Sequence, residues 1–180
     1  MTLPLFRPRL LLLAALTGCL TACTPTRFRS YYIPSESMQP TLQVHDRILT
    51  DRNSYQTQTP ERGDVVIFSP PDALIQMVHG SIPINTRTVF VKRIIGLPDE
   101  VVEVKQGRVY VNQQPLSETY LLESPSYTWG PVKVPADSFM VLGDNRNNAF
   151  DSHFWGAVPR SHLLGKVFWR YWPPDRFGGL

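Results

Sequence analysis

The chain reads as a mostly β protein with antiparallel pairing. Three observations carry that reading. Seventeen prolines and eleven glycines in 180 residues favour short elements and many turns. The apolar runs are brief and β-branched, and each is closed by a turn signal. After residue 25 no segment sustains a helical period, and no repeat or heptad pattern is visible.

The elements follow in order. Arg47-Ile48-Leu49-Thr50 begins a strand, and Asp51 to Thr59 is polar and turn-like. Arg62-Gly63-Asp64 turns into Val65-Val66-Ile67-Phe68, a buried strand stopped by Ser69-Pro70-Pro71. Asp72 to Thr86 reads as loop. Thr88 to Ile95 is the strongest strand signal, stopped by Gly96-Leu97-Pro98-Asp99. Val101–Val104 and Arg108–Val111 flank Lys105-Gln106-Gly107, a hairpin whose glycine supplies positive φ. Pro115 to Pro135 reads as irregular. Ser138–Leu142 is a strand ending at Gly143-Asp144-Asn145-Arg146, and Gly165 to Trp172 is the last.

Composition excludes several classes. Net charge is +3, no basic run exceeds two residues, and no aromatic pattern alternates with basic ones, so nucleic acid is not a partner. The two cysteines, Cys19 and Cys23, both lie in the N-terminal segment; residues 26–180 need no disulfide and offer no thiol. Four histidines, His45, His79, His153 and His162, lack metal-ligand spacing, and no cofactor is implied.

Residues 1–25 form a separate segment. Arg7 and Arg9 precede an apolar run from Leu10 to Cys23. The run is shorter than the roughly 18 to 20 residues of a comfortable spanning helix. Three readings fit it: a short membrane anchor, a cleaved signal peptide, or a lipoprotein segment in which Leu20-Thr21-Ala22-Cys23 is the processing box and Cys23 carries lipid. All three put residues 26–180 on the extracytoplasmic side of a membrane. Membrane lipid is therefore an expected partner.

Two features invite chemistry. Ile33-Pro34-Ser35-Glu36-Ser37-Met38-Gln39-Pro40 sets two serines two residues apart between prolines. In extended chain both point the same way. Such a serine is a nucleophile or a solvated loop hydroxyl. Lys92 interrupts the strongest strand; either Lys92 or its neighbour Arg93 must face inward or toward an edge. Lys92 is a rim lysine that snorkels, or an amine whose burial lowers its pKa and fits it to take a serine proton. Asp151 and His153 leave a Ser-His-Asp arrangement open.

Four blocks in one order decide among these. They are Ser35-Glu36-Ser37-Met38-Gln39-Pro40-Thr41, then Arg62-Gly63-Asp64-Val65-Val66, then Val91-Lys92-Arg93-Ile94-Ile95-Gly96-Leu97-Pro98, then Gly143-Asp144-Asn145-Arg146-Asn147-Asn148-Ala149-Phe150-Asp151-Ser152. Together they resemble the type I signal peptidases, membrane-bound Ser-Lys endopeptidases, and in particular their cyanobacterial and plastid branch. The resemblance runs from about Ile33 to the C-terminus. It implies an antiparallel β-sheet catalytic core and removal of signal peptides from exported preproteins after small residues. It implies Ser37 as nucleophile and Lys92 as general base. The Ser37 N–H and the Ser35 hydroxyl would form the oxyanion hole. Ile33, Met38, Leu42 and Val91 would line the pockets for small substrate residues. Asp144, Asn145, Arg146 and Asp151 would support the site.

Three positions depart from the family pattern. Ala149 stands where most relatives carry a serine that holds the lysine amine. His153 stands where an arginine usually pairs with Asp151. Asp99-Glu100 replaces a Gly-Asp turn. The first departure keeps a second reading open, a membrane-tethered binding module with a degenerate site. An autoprotease of the SOS-repressor type, also Ser-Lys, fits less well, because a membrane segment and not a DNA-binding one precedes the serines.

Overall fold

A computed structural model describes residues 26–78, 80–81, 84 and 87–180. The anchor, signal or lipobox segment at 1–25 lies outside the described residues. Among those described, no helix is long and apolar enough to cross a membrane.

The expected β architecture is present. The strands are β1 (Phe28–Tyr32), β2 (Arg47–Asp51), β3 (Val65–Phe68), β4 (Phe90–Gly96), β5 (Val101–Lys105), β6 (Arg108–Val111), β7 (Gln114–Pro115), β8 (Trp129–Lys133), β9 (Ser138–Leu142), β10 (Val158–Pro159), β11 (Leu163–Trp172) and β12 (Gly178–Gly179). They form two sheets. The larger runs β1-β2-β11-β3-β4-β9-β10 with β12 beside β11; the smaller runs β7-β6-β5-β8. Every described strand pair is antiparallel.

Strand β4 is central, between β3 and β9. Its alternation feeds two cores at once: Ile94 packs with Val66, Phe68 and Val141, while Ile95 packs with Val102, Val109 and Met140 of the second core, which joins the sheets. Gly96 marks the junction. A Cβ there would lie 2.5 Å from a Val102 methyl and 2.9 Å from one of Val134, so no side chain fits. The hairpin between β5 and β6 turns on Gln106 (φ 52°) and Gly107 (φ 71°), the two left-handed residues of a tight I′-type loop.

Five stretches differ from expectation. Phe28–Tyr32 pairs with β2 although it carries no buried alternation; the ladder, not side-chain burial, defines it. Asp72–Val78 is a helix, α2, where loop was expected. Pro71 O accepts from the Leu74 and Ile75 N–H groups, and Leu74 and Val78, one turn apart, are buried. The signal was an i,i+4 apolar pair too short to weigh. Ser54–Thr57 adds a single turn of helix, α1, and Ser152–Trp155 another, α3. Trp129–Lys133 in the supposedly irregular stretch is the edge strand β8, held by β5. The Asp99 departure is accommodated: Asp99 adopts φ 67°, a conformation aspartate tolerates. Glu100 then accepts from Leu97 N–H at 2.7 Å and from Arg62 at 2.6 Å.

Candidate active site

The serine segment is not extended. It folds into successive turns after Pro34, closed by Gln39 N–H to Glu36 O and Leu42 N–H to Met38 O. The turns still bring the hydroxyls together, with Ser35 Oγ 3.4 Å from Ser37 Oγ. Ser35 is exposed and Ser37 buried, so Ser35 sits at the mouth. Met38 and Leu42 anchor the turns in the core beneath, packed with Ile33. The loop after β9 clamps the other side. Asn145 N–H donates to Ser37 O at 3.2 Å, and Asn145 Nδ2 donates to Glu36 O at the same distance.

Lys92 reaches this turn from β4. Its Nζ lies 2.8 Å from Ser37 Oγ and 2.9 Å from Val91 O. The residue is 4% exposed, and no ion pair among the described residues includes it. Burial lowers its pKa from 10.5 to about 8, against the weaker pull of Asp151 and Asp144 in the other direction. A substantial fraction of the amine is thus neutral in mildly alkaline water. The neutral amine can accept the Ser37 proton across that 2.8 Å contact. Histidine does not compete: His153 Nδ1 lies 2.7 Å from Asp151 Oδ1, and its ring stacks on Tyr127. The Ser37 hydroxyl faces Lys92.

The remaining predicted residues fall in two groups. Asp144, Asn145, Arg146 and Asp151 are all buried around Gly143. Asp151 Oδ2 accepts from the Gly143 N–H at 2.8 Å, and Arg146 Nε donates to Gly143 O at 2.9 Å. Gly143 is required here, since a Cβ would stand 2.4 Å from Ser37 O and 2.5 Å from Ala149 Cβ. Ile33, Met38 and Leu42 lie in the interior below the serines, at 2%, 0% and 0% exposure, whereas Val91 in the same cluster is half-buried.

Sequence reading missed the scaffold of charges behind the site. Both consecutive cations of β4 turn inward, not one. Arg93 pairs with both oxygens of Asp144 at 2.8 and 2.6 Å, and its guanidinium lies 3.9 Å from the centre of the Tyr120 ring. Thr41, one turn past Ser37, donates to Asp144 at 2.5 Å. The buried Arg146 forms a bidentate pair with Glu118 at 2.9 and 2.6 Å. Glu118 stands alone in an irregular stretch, and nothing local marks it.

The comparisons place the chain in a family. The family model described as "Signal peptidase, peptidase S26" matches residues 8–172. The chain belongs to this family of serine endopeptidases. It is 53% identical over 149 residues to signal peptidase I of Leptolyngbya laminosa, covering 83% of this chain and 71% of that one. To probable signal peptidase I-2 of Synechocystis sp. it is also 53% identical, over 83% of this chain and 65% of the relative. Thylakoidal processing peptidase 1 of Arabidopsis thaliana is 41% identical over 80% of this chain and 42% of its own length.

Proposed function

We propose that this chain is a membrane-bound serine endopeptidase that removes N-terminal signal peptides from exported preproteins, cutting after small residues. The observation that carries the reading is the buried Lys92 amine 2.8 Å from the Ser37 hydroxyl. Ser37 Oγ attacks the scissile carbonyl carbon while neutral Lys92 takes its proton. The resulting oxyanion is held by the Ser37 N–H and the Ser35 hydroxyl. Collapse breaks the C–N bond, and the Lys92 ammonium returns the proton to the leaving amine. Water then attacks the acyl-enzyme with Lys92 again as base, releasing Ser37. One oxyanion donor is typically worth about 10²–10³ in rate.

The small-residue preference follows from packing. Ile33, Met38 and Leu42 have no free surface of their own, and Val91 keeps a partial one. Of the four, Val91 presents surface to a substrate, and a pocket resting on it with the other three packed beneath is shallow and excludes bulk. Membrane contact is supported by Phe28, Tyr32, Trp172 and Phe177, each at least half exposed, with Phe28 beside Phe168 and Phe177 beside Trp169. These aromatics gather on β1, β11 and the segment after it, where the chain leaves residues 1–25. That arrangement matches a domain resting on the lipid surface with its substrate. The reading as a binding module with a degenerate site finds no support among the relatives.

Assay of the full-length, membrane-extracted protein on a preprotein tests the proposal. Cleavage should be lost in Ser37→Ala and Lys92→Ala. Equal cleavage by wild type and Ser37→Ala would eliminate it. The intact mass of the same preparation distinguishes a retained anchor, a cleaved signal and an acylated Cys23.

A further inference from the structure

An open cavity of about 590 Å³ lies beside the nucleophile's turn, and neither Ser37 nor Lys92 lines it. Its wall comes from 126–129, 146–150, 153 and 154. Tyr127, Trp129, Phe150 and Phe154 give it an aromatic character. The His153 ring is stacked on Tyr127 at 4.4 Å, and the Phe154 ring lies 3.9 Å from His153 and 5.4 Å from Phe150. Phe154 is 54% exposed, an apolar surface its own fold does not use.

The cavity wall borders the candidate active site. Ser37 O and Ala149 Cβ converge on the same point above Gly143, and Ala149 is part of the cavity wall. Asn148, also in the wall, donates to the Glu36 carboxylate at 3.4 Å, next to the nucleophile. On the other hand, the cavity shares no residue with the cluster of Ile33, Met38, Leu42 and Val91 that would meet the small residues before the cut. Small residues leave a space of this size unfilled. A polypeptide crossing Ser37 with its small residues over that cluster carries its following residues toward the aromatic wall.

We propose that this cavity is a subsite for the substrate residues that follow the scissile bond, and that it selects an aromatic or large aliphatic side chain there. The inference rests on the peptidase reading. Four extended residues reach about 13 to 14 Å beyond the cut, so the first four positions are the ones to vary. The cavity thereby reads the new N-terminus of the mature protein, while the floor of the site reads the end of the signal peptide.

The test uses full-length protein and a peptide series with one constant small-residue cleavage sequence. Positions one to four after the cut carry phenylalanine, serine or glutamate in turn. At one position phenylalanine should raise kcat/KM over serine by about tenfold, the scale of partial burial of an aromatic ring. That ratio should fall close to one in Phe154→Ala and in Trp129→Ala, and Phe154→Leu should restore part of it. Phe154 is on the surface, so its variant keeps the test open if Trp129→Ala does not fold. Equal kcat/KM across the series, or a phenylalanine preference that survives Phe154→Ala, overturns the subsite while leaving Ser37-dependent cleavage intact. Absence of Ser37-dependent cleavage for every peptide overturns the peptidase reading and the subsite with it.

Discussion

Lys92 and Arg93 are consecutive cations on one strand, on opposite faces, and neither reaches bulk water freely. Their surroundings differ in one respect. Arg93 is saturated: two contacts to Asp144, one to Gly63 O at 2.7 Å, one to Thr41 at 3.2 Å, and the Tyr120 ring over its plane. Lys92 has a hydroxyl and a carbonyl, and no carboxylate in contact. A paired buried charge is a strut. An unpaired one is strained toward neutrality, and a neutral amine is a base. What the residue faces, not what it is, separates the structural cation from the proposed base.

The largest expected effect is at Lys92. In Lys92→Met, cleavage should fall by about 10²–10⁴-fold, the usual worth of a general base. Stability should move the opposite way. The native pKa is depressed from 10.5 to about 8, so the unfolded chain binds more protons between those values and stability rises with pH across them. Below pH 8 the whole cost remains, roughly 3 kcal/mol at 1.36 kcal/mol per pH unit. Methionine removes it, less the loss of the Ser37 and Val91 contacts. Thermal melts at pH 7 should show Lys92→Met no less stable than wild type, with the advantage gone above pH 10.5. A clear destabilisation at pH 7 would mean that Lys92, too, is a strut. For the wild type, kcat/KM should rise with pH about tenfold per unit up to pH 8 and then level off.

Arg93→Met should do the reverse. It leaves Asp144, with no exposed side-chain surface, as an unpaired buried charge. The expected cost is about 3–5 kcal/mol, read as a large fall in Tm or the denaturant midpoint. Activity per folded molecule should fall less than in Lys92→Met. If Arg93→Met abolishes cleavage in fully folded protein, the division between strut and base is wrong.

Gly143→Ala sharpens the comparison from outside the strand. Both atoms that the new methyl meets, Ser37 O and Ala149 Cβ, are backbone or backbone-fixed and cannot rotate away. The turn holding Ser37 must shift relative to Lys92. A displacement on the order of 1 Å can cost about 10²-fold in rate. The fall should appear in kcat, with the pH at which activity rises changed little, because Lys92 stays buried.

Much of this was legible in the chain, for physical reasons that differ by region. The strands around the site announce themselves because β3, β4 and β9 are short apolar runs with hard stops at Pro70, Gly96 and Gly143. Ser37 and Lys92 were readable because a hydroxyl between prolines and a lysine inside an apolar strand both break the local pattern. The geometry that joins the serines was not: the chain turns where extension was expected, and tertiary clamps from Asn145 and the buried Met38 and Leu42 hold it. Glu118 and Tyr120 were invisible because their partners, Arg146 and Arg93, lie more than 25 residues away in opposite directions. Long-range charge pairing leaves no periodic trace. The helix Asp72–Val78 was missed because its evidence, one buried i,i+4 pair, is less than a sequence window can weigh.

The smallest expected effect is at Ala149, where the family pattern has a serine. Lys92 as an ammonium has three donors and uses two, on Ser37 and Val91. Ala149 is nearly buried, and its Cβ borders the same point as Ser37 O, so a hydroxyl added there has little freedom. In Ala149→Ser that hydroxyl can accept the remaining N–H of the neutral amine, which holds the lone pair toward Ser37. One such bond is worth about 1 kcal/mol, a factor of about five. Cleavage should increase by that order, because the amine's lone pair is better held toward Ser37. The sign is informative. An onset moved to higher pH would mean that the new hydroxyl accepts from the ammonium and makes Lys92 more like Arg93, a better satisfied cation and a poorer base. An unchanged profile in an active enzyme would show that the Ser37 and Val91 contacts already orient the amine, and that this branch of the site runs on two partners where the family pattern uses three.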